Sequence, residues 1–425
     1  PFFEMPQITE RICGICPVSH HLASAKACDA VAGAKPPRTA GRLRELMHMG
    51  QMIQSHSMHF FELAAPDLLL GFDADPARRN VVGIVELDTD LALKAVNLRK
   101  YGQEIIRLLG TKRVHPVFAI PGGVNAPLTP EKRDAILKPI DEMIASVQVG
   151  IQAAKDWGEK HADIVNRFAV FPSGYAGLVG PNGELELYDG QVRIIDRNGD
   201  RLAQFDPHDD LEHIAEHVED WSYLKFPYYK KLGWPGGSYR VGPLGRLNVC
   251  DSIPTPLAQE EFRIFKQLNG GRPVENTLYY HYARLIEDLY ALERVRQILE
   301  EPGICSTDIV APWSQVTGEG VGCVEAPRGT LFHHYWTDDN GQLTRVNLIV
   351  ATGHNNWAMS TAVEMVAKEF VDGQNLTEGM LNRVEAAIRA HDPCLSCSTH
   401  AVGQMPLDVI VYGPDGEEVN RVRRG

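Results

Sequence analysis

Two Cys-x-x-Cys pairs stand at opposite ends of the chain, Cys13 and Cys16 in Arg11-Ile-Cys-Gly-Ile-Cys-Pro-Val-Ser-His20, and Cys394 and Cys397 in Asp392-Pro-Cys-Leu-Ser-Cys-Ser-Thr-His400. A Cys-x-x-Cys loop can place two soft sulfurs on one ion, so the two pairs together make a tetrathiolate pocket suited to zinc, an iron-sulfur cluster or nickel. Almost the whole chain lies between the pairs, so a shared site forces the fold to bring its ends together around the metal. A closed structural zinc site is the plain reading of four cysteines. Zinc ribbons, however, usually bring their pairs within about 15 to 20 residues, as a local clip for a small core. A chain of 425 residues needs no such clip, and a site joining the two termini suits a buried catalytic centre better.

The other four of the eight cysteines, Cys28, Cys250, Cys305 and Cys323, are scattered without framework spacing. This predicts a reducing, cytoplasmic setting in which thiols serve metal rather than disulfides. With 44% hydrophobic and 23% charged residues the composition is that of a folded globular protein. The net charge of -13 argues against a nucleic-acid face, which needs concentrated Lys and Arg. No apolar run reaches the roughly 18 to 20 residues of a membrane span. The sequence begins at Pro1, a few residues before the first motif, so a true start upstream of it is expected.

Helical patterns dominate. One runs over 39 to 64, with Leu43, Leu46, Met47, Ile53, Phe60 and Phe61 at helical spacing, and a second from Asp90 to Leu109 with Gly110 as its stop. Thr129-Pro130 opens a third, expected to reach residue 165. Others are expected at 275 to 300, 355 to 371 and 377 to 390, the last ended by Pro393. Strand signals cluster at 184 to 205, 330 to 351 and 408 to 422, with turns at Asn198-Gly199, Asn340-Gly341 and Asp415-Gly416. The expected class is mainly α with small β-hairpin regions (α+β), as one intertwined domain. Gly318-Glu-Gly-Val-Gly-Cys323 is similar to a dinucleotide fingerprint, but Cys323 stands where the third glycine belongs and no strand-to-helix unit is evident, so no NAD site is assigned there.

The residues around the two cysteine pairs closely resemble the two signature motifs of nickel-iron hydrogenase large subunits. The resemblance extends to His115-Pro116 with Pro121-Gly122-Gly123, to Tyr239-Arg-Val-Gly-Pro-Leu-Gly-Arg-Leu-Asn248, and to Glu325-Ala-Pro-Arg-Gly-Thr-Leu-Phe-His-His334. Stretches such as Ser222-Tyr-Leu-Lys-Phe-Pro-Tyr-Tyr-Lys230 look most like the soluble, bidirectional NAD(P)-linked members.

The resemblance implies a hydrogenase whose nickel carries four cysteine sulfurs, with Cys13 and Cys394 terminal and Cys16 and Cys397 bridging to an iron that holds carbon monoxide and cyanide. It implies heterolytic splitting of H2, with Cys394 as first proton acceptor. Arg328 matches the arginine suspended over the open face of the metals, and Asp392 would hold its guanidinium by a bidentate pair. His400 corresponds to a ligand of magnesium or a similar ion. His20 fits a ring donating to a motif cysteine sulfur, while His56 and His59 are read as packing or proton-network residues. Ser55 stands where many members carry an aspartate. A glutamate for proton relay and another for magnesium would precede Pro1.

The resemblance also implies a precursor, with residues 1 to 400 as the hydrogenase domain and 401 to 425 as an extension that a dedicated endopeptidase removes after His400. A permanent terminal hairpin is the alternative. The electrons would leave through an iron-sulfur small subunit to flavin- and NAD(P)-binding diaphorase subunits, with no iron-sulfur cluster in this chain. Competing readings are a deazaflavin or another carrier as acceptor, and, in a different class, a zinc-bound or metal-free structural subunit of a redox complex.

Overall fold

A computed structural model describes residues 1–313, 316–395 and 407–424. Its centre is α1 (Pro17–Val31), a helix rich in alanine and apolar residues that also carries His20, His21, Lys26 and Asp29 and is buried on nearly every face. A helix without a polar stripe has no face to offer solvent, and the rest of the fold wraps it.

Beside it, α2 (Arg38–Ser57) runs without a break into two π-helical stretches, Met58–Ala64 and Pro66–Leu70, somewhat beyond the expected end at residue 64. It crosses α3 (Thr89–Gly110) where Gly50 meets Gly102. A Cβ on Gly102 would stand 2.5 Å from the Gly50 carbonyl oxygen, so two glycines are what let the backbones touch. The helix expected from Thr129 to 165 is divided: Thr129 caps α4 (Pro130–Leu137), and Pro139, which lacks an amide donor, separates it from α5 (Ile140–Lys160) and a last turn at Ala162–Val165. Further along come α6 (Gly242–Val249), α7 (Tyr279–Glu300), α8 (Asn356–Phe370) and α9 (Glu378–Ala390). The last ends before Pro393, as expected. The helices α2, α3, α5 and α7 share the main apolar core.

The two sheets of more than two strands among the described residues flank this body. Strands β1 (Gly174–Val179), β2 (Gln191–Ile195), β3 (Arg201–Phe205) and β4 (Tyr239–Arg240) lie in the order β3-β2-β1-β4. The second sheet orders β5 (Glu319–Ala326), β6 (Gly329–Thr337) and β7 (Leu343–Ile349) as β7-β6-β5. Asn198-Gly199 and Asn340-Gly341 make the expected turns, with positive φ at both glycines. The terminal hairpin pairs β8 (Leu407–Tyr412) with β9 (Glu418–Arg424).

Strand β5 explains the glycine fingerprint. Gly320 and Gly322, two apart, face the same side of the strand, against α1. A Cβ on Gly322 would stand 1.9 Å from the Ala23 carbonyl oxygen, and one on Gly320 would stand 2.4 Å from that of Ala27. The glycines seat a strand on a helix backbone.

Arg246 on α6 ties this sheet to the helices. It donates to both oxygens of Glu287 on α7 at 2.6 Å, to Glu325 on β5 at 2.8 Å, and to the carbonyls of Ala326 and Pro327 at 2.9 and 3.2 Å. All three charged side chains are fully buried. Burial alone would raise the Glu287 carboxyl, but Arg246 and His56 outweigh it and hold it below its ordinary value. Replacing Arg246 with methionine would leave two buried carboxylates without their shared guanidinium, Glu287 keeping only His56, and should cost about 3–5 kcal/mol, read as a lower urea midpoint for the full chain. A loss below about 1 kcal/mol would show that the pairing is not holding these elements together.

Candidate metal centre

The first cysteine pair is presented by the start of α1. Cys13 closes a 3-10 turn over Glu10–Ile12 with extended backbone, and Cys16 caps the helix immediately before Pro17. The amides of Ile15 and Cys16 donate to Cys13 Sγ at 3.3 and 3.0 Å. Amide donors at a helix N-terminus favour a thiolate over a thiol. Cys394 arrives from the other end of the chain, two residues after Asp392, which takes the left-handed conformation at φ +54°. Its amide donates to Thr352 Oγ1 at 3.0 Å.

The three sulfurs converge. Cys13 Sγ lies 2.8 Å from Cys16 Sγ and 3.3 Å from Cys394 Sγ, and all three lie within 4.8 Å of one another. Exposure of the three residues is 1%, 4% and 5%. The separations are far longer than the roughly 2.05 Å of a disulfide. Cys397 and His400 lie outside the described residues, as does the junction between His400 and Ala401.

Arg328 sits in the two-residue turn between β5 and β6, whose ends pair Ala326 with Gly329. The turn is held from beneath by Arg246, as described above. Gly329, at φ +142°, has no room for a side chain, since a Cβ would stand 2.2 Å from Val241. The buried guanidinium donates to Asp392 Oδ1 at 2.9 Å and to Ser55 Oγ at 3.4 Å. The expected bidentate pair is therefore corrected to a single hydrogen bond, because the second arm of the fork is taken by the Ser55 hydroxyl. Burial works against the Arg328 charge, yet Asp392 and the sulfurs of Cys16, Cys394 and Cys13 outweigh it and raise its pKa. Arg328 thus lies in the field of all three cysteines.

Three histidines singled out in the sequence find their partners on elements distant along the chain. His59, on the first π-helical stretch, donates from Nε2 to the Arg389 carbonyl at 2.7 Å, with Nε2 also 3.8 Å from Asp392 Oδ1. Its ring stacks on His281. His56 bonds Glu287 at 3.0 Å, and burial lowers it to about 4 against the pull of that carboxylate. His20 Nδ1 lies 3.1 Å from His333 Nε2. Thr352, which holds the Cys394 backbone, could not have been singled out from its surroundings in the sequence.

Residues 3–79 and 184–400 match the family described as nickel-dependent hydrogenase, a span that contains every residue of this cluster. The chain belongs to the nickel-dependent hydrogenase family. This hydrogenase is 45% identical to the beta subunit of the NAD-reducing hydrogenase HoxS of Cupriavidus necator, over 100% of this chain and 90% of the relative. It is 48% identical to one subunit of the F420-non-reducing hydrogenase vhu of Methanococcus voltae, over 87% of each. A crystal structure of an NAD+-reducing [NiFe]-hydrogenase in the H2-reduced state superposes at a TM-score of 0.91 and 44% identity, covering 94% of this chain and 89% of that one. The mainly α fold with small sheets is therefore that of a nickel-iron hydrogenase large subunit, and the chain is a hydrogenase catalytic subunit.

The residues present fit a nickel centre. Three soft donors gathered from both termini, shielded from water and flanked by amide N-H groups and a guanidinium, form a pocket for a thiophilic cation. No helix among the described residues is long and apolar enough to cross a membrane.

Proposed function

We propose that this hydrogenase catalyses reversible heterolytic cleavage of H2, exchanging electrons with NAD(P) through partner subunits. The observation that carries the reading is the convergence of Cys13, Cys16 and Cys394 beside the Arg328–Asp392 pair. Cys13 and Cys394 would be the terminal nickel thiolates, and Cys16 with Cys397 would bridge to an iron carrying carbon monoxide and cyanide. When bound, that centre supplies the soft redox chemistry that accepts the electron pair of H2.

The chain's own residues manage charge and protons. Cys394 Sγ takes the proton released on cleavage, since a terminal thiolate keeps a lone pair. Thr352 fixes its backbone. Arg328 supplies a fixed cation where negative charge develops, and in a dry site such a charge needs no solvent reorganisation. Asp392 and Ser55 hold the guanidinium in place. His400 would bind magnesium or a similar ion. Residues 1 to 400 would form the mature hydrogenase domain, and an endopeptidase would remove 401 to 425 after His400.

The acceptor reading rests on the NAD-reducing relative, whose similarity spans this whole chain. Its designation as one subunit of an NAD-reducing enzyme supports diaphorase subunits together with an iron-sulfur small subunit as partners. A second reading, in which another carrier is the acceptor, has a specific basis: the 48% identical protein of Methanococcus voltae is named for not reducing F420, and its name does not specify NAD.

The mature complex purified from its host should show metal-bound carbonyl and cyanide stretches in the infrared, contain nickel, and reduce NAD or NADP under H2. Zinc in place of nickel, without those stretches, would replace the catalytic reading by a structural one. Stretches and nickel without NAD(P) reduction would leave the chemistry and move the acceptor.

A further inference from the structure

One loop, Tyr239 to Gly242, packs on both of the turns that present Arg328 and Cys394. On one side Val241 fills the space where Gly329 would carry a side chain, a Cβ there standing 2.2 Å from Val241 Cγ2. Gly242, at φ +80°, lies close against Arg328, since a Cβ on it would stand 3.0 Å from the Arg328 carbonyl oxygen. On the other side the Val241 backbone is held by Asn355. The Val241 amide donates to Asn355 Oδ1 at 2.9 Å, and Asn355 Nδ2 donates to the Val241 carbonyl at 3.3 Å. A second tie joins the Tyr239 hydroxyl to His354 Nδ1 at 2.8 Å. His354 ends the helical turn Ala351–His354, and Asn355, which follows it, donates from its amide to the Thr352 carbonyl at 3.1 Å. Thr352 in turn holds the Cys394 amide. Tyr239, Val241, His354 and Asn355 are each no more than 2% exposed.

These contacts close a ring. From Arg328 it passes through Asp392 to Cys394, from Cys394 through Thr352 to Asn355, and from Asn355 through Val241 back to Gly329 and Arg328. Arg328 and Asp392 by themselves share one hydrogen bond, about which the two turns could swing, whereas a closed ring holds them at one separation. Asn355 is the member whose chemistry is specific. An amide side chain offers an acceptor and a donor side by side, which is what one backbone N-H and C=O require, while aspartate offers acceptors only. Its use is also a diversion. Asn355 stands at the N-cap of α8, where asparagine commonly accepts from the first helical amides, yet its side chain makes no capping bond.

We propose that Asn355, supported by Tyr239, is a positioning residue that sets the Cys394 sulfur relative to the Arg328 guanidinium, through Thr352 on one side and Val241 on the other. The proposal rests on the hydrogenase reading given above, in which that placement governs turnover. A misplacement of about 1 Å can cost about a hundredfold in rate, so a partial shift should cost about tenfold.

The test compares Asn355→Ala with Asn248→Ala in the complex purified from its host. Asn248 makes the same reciprocal pair with the Val274 backbone, accepting from its amide at 2.9 Å and donating to its carbonyl at 3.0 Å, outside the ring. Both variants therefore lose a like pair of buried bonds, and their urea midpoints should fall alike. Only Asn355→Ala should quicken hydrogen exchange of the peptides carrying Thr352 and Cys394, by about tenfold. Both should keep their nickel, and only Asn355→Ala should shift the infrared stretches and lower turnover, by about tenfold. Unchanged exchange at Cys394 in Asn355→Ala, or the same changes in Asn248→Ala, would overturn the proposal. Quickened exchange with unchanged stretches and turnover would also overturn it, leaving a brace without bearing on the reaction. Should Asn355→Ala fail to fold, Tyr239→Phe, which removes a single hydroxyl, is judged against the same control by the same criteria. An unmodified complex without nickel or stretches would remove the proposed function, while hydrogen exchange still judges the ring.

Discussion

Cys394→Ser should strip the mature protein of nickel, with metal content falling more than ~10-fold and H2 oxidation lost with it. Loss of a mere supporting partner commonly costs 10- to 100-fold in metal affinity, and a direct soft donor should cost more, because an alcohol neither ionises at neutral pH nor suits a thiophilic cation. The backbone of the site should survive, since the Cys394 amide, not its sulfur, bonds Thr352. Cys250→Ser is the matching control. Cys250 is buried away from the cluster, and burial pushes its thiol up to about 12, so it stays protonated and should be silent toward nickel. Nickel measured by elemental analysis in the two purified variants decides the matter. Full nickel in Cys394→Ser would remove this sulfur from the ligand set.

Arg328→Lys should give the second large effect and leave the metal in place. Lysine keeps the charge but not the fork that reaches Asp392 and Ser55 together. Losing a fixed donor of this kind costs about 10²–10³ in turnover, or about 2.7–4 kcal/mol. Nickel content and the infrared stretches should remain those of the unmodified enzyme while H2 oxidation falls. If nickel is lost in Arg328→Lys as it is in Cys394→Ser, Arg328 holds the site together rather than serving the reaction. Asp392→Asn should resemble Arg328→Lys in milder form, because an amide oxygen still accepts from Nη2 without the opposing charge.

Much of this site is legible in the order of residues, but unevenly. The cysteines announce themselves because Cys-x-x-Cys is a local pattern with a chemical reason. Arg328 and Asp392 are visible through the motifs around them, yet the way they meet is not: the expected bidentate pair gives way to one carboxylate bond and one serine bond, since Ser55 comes from a helix distant in sequence. Glu319–Ala326 does not read as a strand because its glycines look like punctuation. Their purpose lies in α1, nearly three hundred residues earlier. Pro139 is a plain local signal, and the helix expected to run through it is instead divided there. The Arg246–Glu287–Glu325 cluster has no periodic signature, because buried ion pairs are matched in space and not along the chain.

Neighbouring residues settle the local choices: helix starts at Thr129-Pro130 and Thr377, turns at Asn198-Gly199, Asn340-Gly341 and Asp415-Gly416, and soft donors at both ends. Each depends on the torsions or hydrogen bonds of a few adjacent residues. Packing across the whole chain is what sets Cys394 3.3 Å from Cys13, joins Arg328 to Asp392 and Ser55, and brings His20, His333 and Tyr335 together. Closing a loop of nearly the whole chain, and stripping water from charged groups, are worked against by entropy and desolvation. Only the packed core as a whole offsets those costs, so no stretch of sequence could specify them alone.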